Sequence, residues 1–166
     1  MAIKDSFIGE LKQETAMTRK MLEKVPMDKK EWRPHEKSMT LGRLATHIAE
    51  NLHWIPVILQ ADEFDFAANP SPAGRTAENQ EELLAIFDAN IVKATTALSL
   101  ADDDTFNKTW SIKRGDHVIM ASLKKVAIRG WAFSHLFHHR GQLSVYLRLL
   151  DIPVPGMYGP SADEKF

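Results

Sequence analysis

The sequence predicts an all-α protein, a four-helix bundle with a crossover connection, and three observations predict it. Four long stretches carry apolar residues at steps of three and four, the spacing that lines one face of a helix. Prolines end the first and last of these stretches and punctuate the loops between them. The chain has 166 residues and no cysteine, so an apolar core must hold it without disulfides. Helices of this length bury their stripes most simply against one another. The connections are long enough for crossovers. The length suits one domain spanning residues 1–166.

The first helix is expected from about Ser6 to Val25, on Ile8, Leu11, Thr15, Thr18 and Leu22, and Pro26 ends it. Residues 26–39 read as a loop with Trp32 as a packing anchor. The second helix runs from about Thr40 to Ala61 on the stripe Leu41, Leu44, Ile48, Leu52, Ile55 and Leu59. Pro56 should kink it, because proline removes a backbone donor and crowds the preceding turn. Asn69 to Gly74 is a loop by composition. A third helix follows from Thr76, its expected N-cap, to Leu100, with Leu83, Leu84, Phe87, Ile91, Ala94 and Leu98 inward. Asp102-Asp103-Asp104 stops it. Residues 105–118 suggest a short extended piece or hairpin around Gly115. The fourth helix runs from about Ala121 to Asp151, with Val126, Gly130, Phe133, Phe137, Leu143, Leu147 and Leu150 as apolar positions. Pro153 and Pro155 terminate it, ahead of a tail.

Composition narrows the function. Without cysteine there are no zinc fingers, iron–sulfur clusters or thiol nucleophiles. The N-terminus lacks the apolar core of a signal peptide. The longest unbroken apolar run, Trp54 to Leu59, is too short to span a bilayer. A cytoplasmic protein with no membrane partner is expected. The net charge of −1 gives no field to attract nucleic acid. Charge is nevertheless uneven. Glu78 to Asp104 holds seven acidic residues against Lys93, and Thr105 to Leu150 holds eight basic residues against Asp116. These segments are expected to attract each other as packed helices; an anionic ligand near the basic helix is the alternative.

The histidines carry the chemistry. Three of the seven fall within His135-Leu136-Phe137-His138-His139. His135 and His139 are four apart on a helix, about 40° of rotation and 6 Å of rise, so their rings can meet at one ion. His138 lies about 100° from His139. The preferred pair is therefore His135 with His139, and His135 with His138 is the alternative. Phe133 and Phe137 are expected to flank the pair. A third ligand should come from the second helix, where His47, with Asn51 and Trp54, borders the apolar stripe. His53, about 120° from His47, is expected to be exposed. Glu50 reads as a solvated residue or as one that orients a ligand or takes protons. His35 and His117 fall in loops.

Other metal patterns fit worse. Leu136 stands where a zincin helix needs Glu, and no carboxylate lies between Ala121 and Leu150 for a di-iron site. A mononuclear three-histidine site remains, which leaves one coordination position open and suits zinc, nickel and iron alike. Gly141 interrupts the same helix, for close approach of another backbone or for tight packing. Arg140 points to solvent or to an acidic residue on a neighbouring helix.

His135-x-x-His138-His139-Arg140-Gly141-Gln142-Leu143, then Tyr146 to Leu150 and Pro153 to Ser161, resembles the DinB-like (DinB/YfiT) family. Leu41-Gly42-Arg43-Leu44-Ala45-Thr46-His47-Ile48 resembles that family's first-histidine motif. The resemblance spans nearly the whole chain. It implies a four-helix bundle holding a divalent metal, often nickel or zinc, on three histidines, here His47, His135 and His139, frequently in a homodimer. It also implies metal-dependent S-transfer or isomerisation with a low-molecular-weight thiol, such as bacillithiol or mycothiol, as cosubstrate. The family name refers to damage inducibility and implies no DNA binding. The expected function is a metal-dependent, small-thiol S-transferase acting on a small molecule. The alternative is a non-catalytic, divalent-metal-binding stress-response dimer.

Overall fold

The computed structural model describes residues 2–69 and 74–165. The order along the chain is α1 (Ile3–Leu22), α2 (Leu41–Glu50), α3 (Trp54–Gln60), β1 (Glu63–Asp65), α4 (Gln80–Leu100), α5 (Asp103–Asn107), β2 (Thr109–Arg114), β3 (His117–Leu123), α6 (Lys124–Ile128) and α7 (His135–Leu149). The fold is mostly helical. The strands form one sheet in the order β1-β2-β3, so a purely all-α class is incorrect. β1 runs parallel to β2, and β2 and β3 are antiparallel across a turn at Gly115, whose φ of 59° favours glycine. The hairpin suggested by the sequence is present, extended to Leu123. The fourth helix accordingly starts at Lys124, three residues later than expected.

α1 packs on α4 and α7, and α2 packs on the same two helices. The α2 stripe is as expected: Leu41, Leu44, Ile48, Leu52, Ile55 and Leu59 are all buried. Phe7 of α1 stacks on Phe106 and Phe133 at 5.6 and 5.9 Å, joining α1, α5 and the last helix in one core. α4 is long and apolar enough in composition to cross a bilayer, and one face of it packs on α1, α2 and α3.

Several boundaries differ for local reasons. Asn79, not Thr76, caps α4, its side chain accepting the Glu82 N–H at 2.9 Å. The break in the second helix falls at a 3₁₀ turn, Asn51–His53, just ahead of Pro56. Proline then occupies the first turn of α3, where its missing donor matters least. The loop expected at Asn69 to Gly74 lies partly outside the described residues, at 70–73. A π-helical turn, Arg129–Ser134, links α6 to α7. The extra residue rotates α6 relative to α7. Val126 is therefore 54% exposed, and Ala127 and Ile128 face the core in its place.

The acidic and basic segments pair with other parts of the chain. On the acidic side, Asp88 bonds Arg19, Glu82 bonds Arg75 and Glu78 bonds Lys30. On the basic side, Arg129 bonds Glu10, Arg140 bonds Glu14 and Arg148 bonds Asp163. The expected mutual attraction of the two segments is not what organises these charges.

Candidate metal centre

α2 carries His47 and is fixed at its start. The Thr40 side chain accepts the Arg43 N–H, and a Cβ on Gly42 would lie 2.8 Å from Lys30 and Thr76. Only glycine lets α2 sit this close to those residues. His135 opens α7 directly after the π turn, and His139 follows one turn later.

The three imidazoles converge. Their nearest nitrogens all lie within 4.8 Å of one another. The Nε2 atoms of His47 and His135 are 3.2 Å apart. Two nitrogens each about 2.0–2.1 Å from one tetrahedral ion would be about 3.3 Å apart. Three neutral nitrogen donors at this spacing fit a divalent transition metal.

Surrounding groups orient two of the rings. The Nδ1–H of His139 faces Gln142 Oε1 at 2.7 Å, which leaves Nε2 free to ligate. The π turn serves His135 in a similar way. The His135 backbone N–H reaches the Gly130 carbonyl, five residues back. The Trp131 carbonyl, at the start of this turn, accepts at 3.4 Å from Asn51 Nδ2 and keeps the His135 pKa from falling further. His47 Nδ1 meets Arg43 at 3.4 Å, and Arg43 also pairs with Glu50 at 3.2 Å.

All three histidines are held neutral. Burial, then the neighbouring His139, His135 and Arg43, pushes His47 down to about 3. Burial lowers His135 and His139 as well; bonds to the Trp131 carbonyl and to Gln142, respectively, oppose the drop. Neutral imidazole is the ligating form.

A cavity of about 550 Å³ reaches His47 and His135. Trp54, Phe64, Phe66 and Trp131 give it apolar walls, and Arg43, Glu50, Asn51, His53 and Asn69 give it polar ones. Phe64 comes from β1 and Phe66 from the residue after it, so the small sheet builds one side. The alternation Glu63-Phe64-Asp65-Phe66 was the available signal, since i and i+2 share a face of a strand.

Other expectations resolve around this centre. His138 is exposed, as are His35 and His117. His53 is half-buried, packs at a tilt against Trp54 at 4.6 Å and lines the cavity, so the expectation of exposure is incorrect. Phe133 and Phe137 do not line the cavity. Phe133 packs in the core on Phe7, and Phe137 packs against Tyr158. Arg140 is buried and bonds Glu14 at 2.7 Å, Thr18 at 3.0 Å and Tyr158 at 2.5 Å. Neither expectation for Gly141 holds: it is exposed, and an added Cβ would meet nothing within 4 Å.

The DinB family model matches residues 2–165, and the chain belongs to the DinB family. Its fold is similar to that of a DinB-like protein from Bacillus subtilis, with a TM-score of 0.69 and 18% identity over 89% of this chain and 96% of that one. A DinB-like protein from Bacillus cereus ATCC 10987 gives a TM-score of 0.67 and 24% identity over 95% and 98%. No curated protein matches the chain.

Proposed function

We propose that this chain is a metal-dependent enzyme, a small-thiol S-transferase, with a divalent ion held by His47, His135 and His139. Nickel and zinc are the favoured ions, and iron also suits the donor set. The observation that carries the reading is the cavity that reaches two of the three histidines. A sealed site would instead favour a non-catalytic metal-binding dimer; an open one leaves room for substrate. A bound divalent ion would act as a Lewis acid that lowers the pKa of a coordinated thiol.

The chain's own residues supply the rest. His47, His135 and His139 bring no negative charge, so an anionic sulfur is favoured beside the ion. Trp54, Phe64, Phe66 and Trp131 exclude water around the electrophile. In the transfer, the thiol gives its proton to solvent, its sulfur bonds the electrophilic carbon, and the leaving group departs with the electron pair of the broken bond. A homodimer and a cytoplasmic setting belong to the same proposal, as does one bundle domain over the whole chain.

The test is the purified protein loaded with nickel or zinc, mixed with a small thiol and 1-chloro-2,4-dinitrobenzene. Thioether formation above the rate of the metal-free protein is expected, lost in His135→Ala. No thiol binding and no transfer above background would reject the S-transferase reading.

A further inference from the structure

The converging rings do not have equivalent partners. A histidine that holds a metal through Nε2 carries its proton on Nδ1 and gives it to an acceptor. His139 has such an acceptor in Gln142 Oε1, at 2.7 Å. His47 has the opposite. Its Nδ1 faces Nη2 of Arg43, one turn earlier on α2, at 3.4 Å.

A guanidinium only donates, so His47 Nδ1 is the acceptor in this bond. The proton of the neutral ring then sits on Nε2. That nitrogen faces His135 Nε2 at 3.2 Å, which accepts the bond. An Nε2 that carries a proton has no lone pair for an ion. The Arg43 bond and an ion on His47 Nε2 therefore exclude each other.

Charge works in the same direction. Arg43 helps to lower the pKa of His47, behind burial, His139 and His135, and that of His139, behind burial and His138. A cation that disfavours a proton on these rings also disfavours a divalent ion between them. The guanidinium is tethered, because Nη1 bonds Glu50 and the Arg75 carbonyl, each at 3.2 Å. Nη2 can release His47 while Nη1 keeps its partners.

We propose that Arg43 regulates metal loading of the three-histidine centre. Its bond to His47 Nδ1 locks the ring in the form that cannot ligate, and an ion enters only as Nη2 lets go. The ring proton then moves through solvent from Nε2 to Nδ1, so His47 stays neutral throughout. This rests on the metal-binding reading above and is independent of S-transfer.

The test reads the ring protons of the wild-type protein by long-range 1H–15N NMR, before and after zinc is added. The His47 proton is expected on Nε2 without zinc and on Nδ1 with it. Zinc affinities are then measured by competition with a chelator. Arg43→Met should bind zinc about tenfold more tightly than the wild type, the scale of one lost bond to a charged group. Arg43→Met combined with Glu50→Gln should exceed Glu50→Gln alone by a similar factor, so the gain does not come from an unpaired Glu50. A His47 proton already on Nδ1 without zinc, or no gain in affinity in either comparison, would overturn the proposal. The NMR comparison needs no variant to fold. A wild type that binds no zinc would overturn this proposal and the metal reading together, whereas failed S-transfer by a zinc-loaded protein would leave this one standing.

Discussion

His47 has the most perturbed titration among the three converging histidines, and its sign gives a prediction. An unfolded imidazole protonates near pH 6.5, whereas folded His47 resists protonation down to about 3. Between those values the unfolded chain binds a proton that the folded chain excludes. The contribution of His47 to stability is therefore intact above pH 6.5 and declines as pH falls toward 3. Urea midpoints of the metal-free protein at pH 7.5, 5.5 and 4.5 should fall in that order, and His47→Gln should fall less steeply. Parallel declines would contradict the assignment. At His139 the orienting bond from Gln142 gives a second prediction. Gln142→Ala should weaken zinc binding by about 10–100-fold, measured by competition with a chelator, while the protein stays folded. Gly141 gives a third. It is exposed with open space around its Cα, so Gly141→Ala should leave metal content unchanged and stabilise the protein by up to about 1 kcal/mol in urea unfolding.

At the scale of elements, the π turn before α7 is what aims His135. Deleting Gly130 should restore α-helical register and rotate the residues before His135 by about 100° relative to α7. Helix content by circular dichroism should persist while zinc binding is lost. The helices were legible in the sequence because their stripes repeat over several turns, as with Leu41 through Leu59. The histidine triad was legible because i, i+4 spacing fixes which rings share a helix face. The π turn was not, since one extra residue leaves no mark in a pattern of threes and fours; Val126 was placed inward for that reason. β1 was missed because three residues are too few to establish alternation. With it went Phe64 and Phe66, and so the aromatic wall. His53 was misplaced because a continuous helix was assumed through Asn51–His53, where the chain forms a 3₁₀ turn.

Over the whole molecule, the site and the C-terminal tail are tied to the core through neighbouring residues of α7. Arg140, next to His139, joins Glu14 of α1 and Tyr158 of the tail, and both members of the ion pair are almost fully buried. Arg140→Leu would leave the Glu14 carboxylate buried without its partner and should cost about 3–5 kcal/mol in urea unfolding. The converging histidines likewise bridge distant segments, since His47 on α2 and His135 on α7 are 88 positions apart. An ion binding only the folded chain should stabilise it by about 2.7 kcal/mol at one hundred times its Kd. The most direct test of the three-histidine centre is elemental analysis of the purified wild type beside His47→Ala, His135→Ala, His139→Ala and His138→Ala. One divalent ion per chain is expected in the wild type and in His138→Ala, with little or none in the other three. Equal metal content in all five proteins would contradict the account.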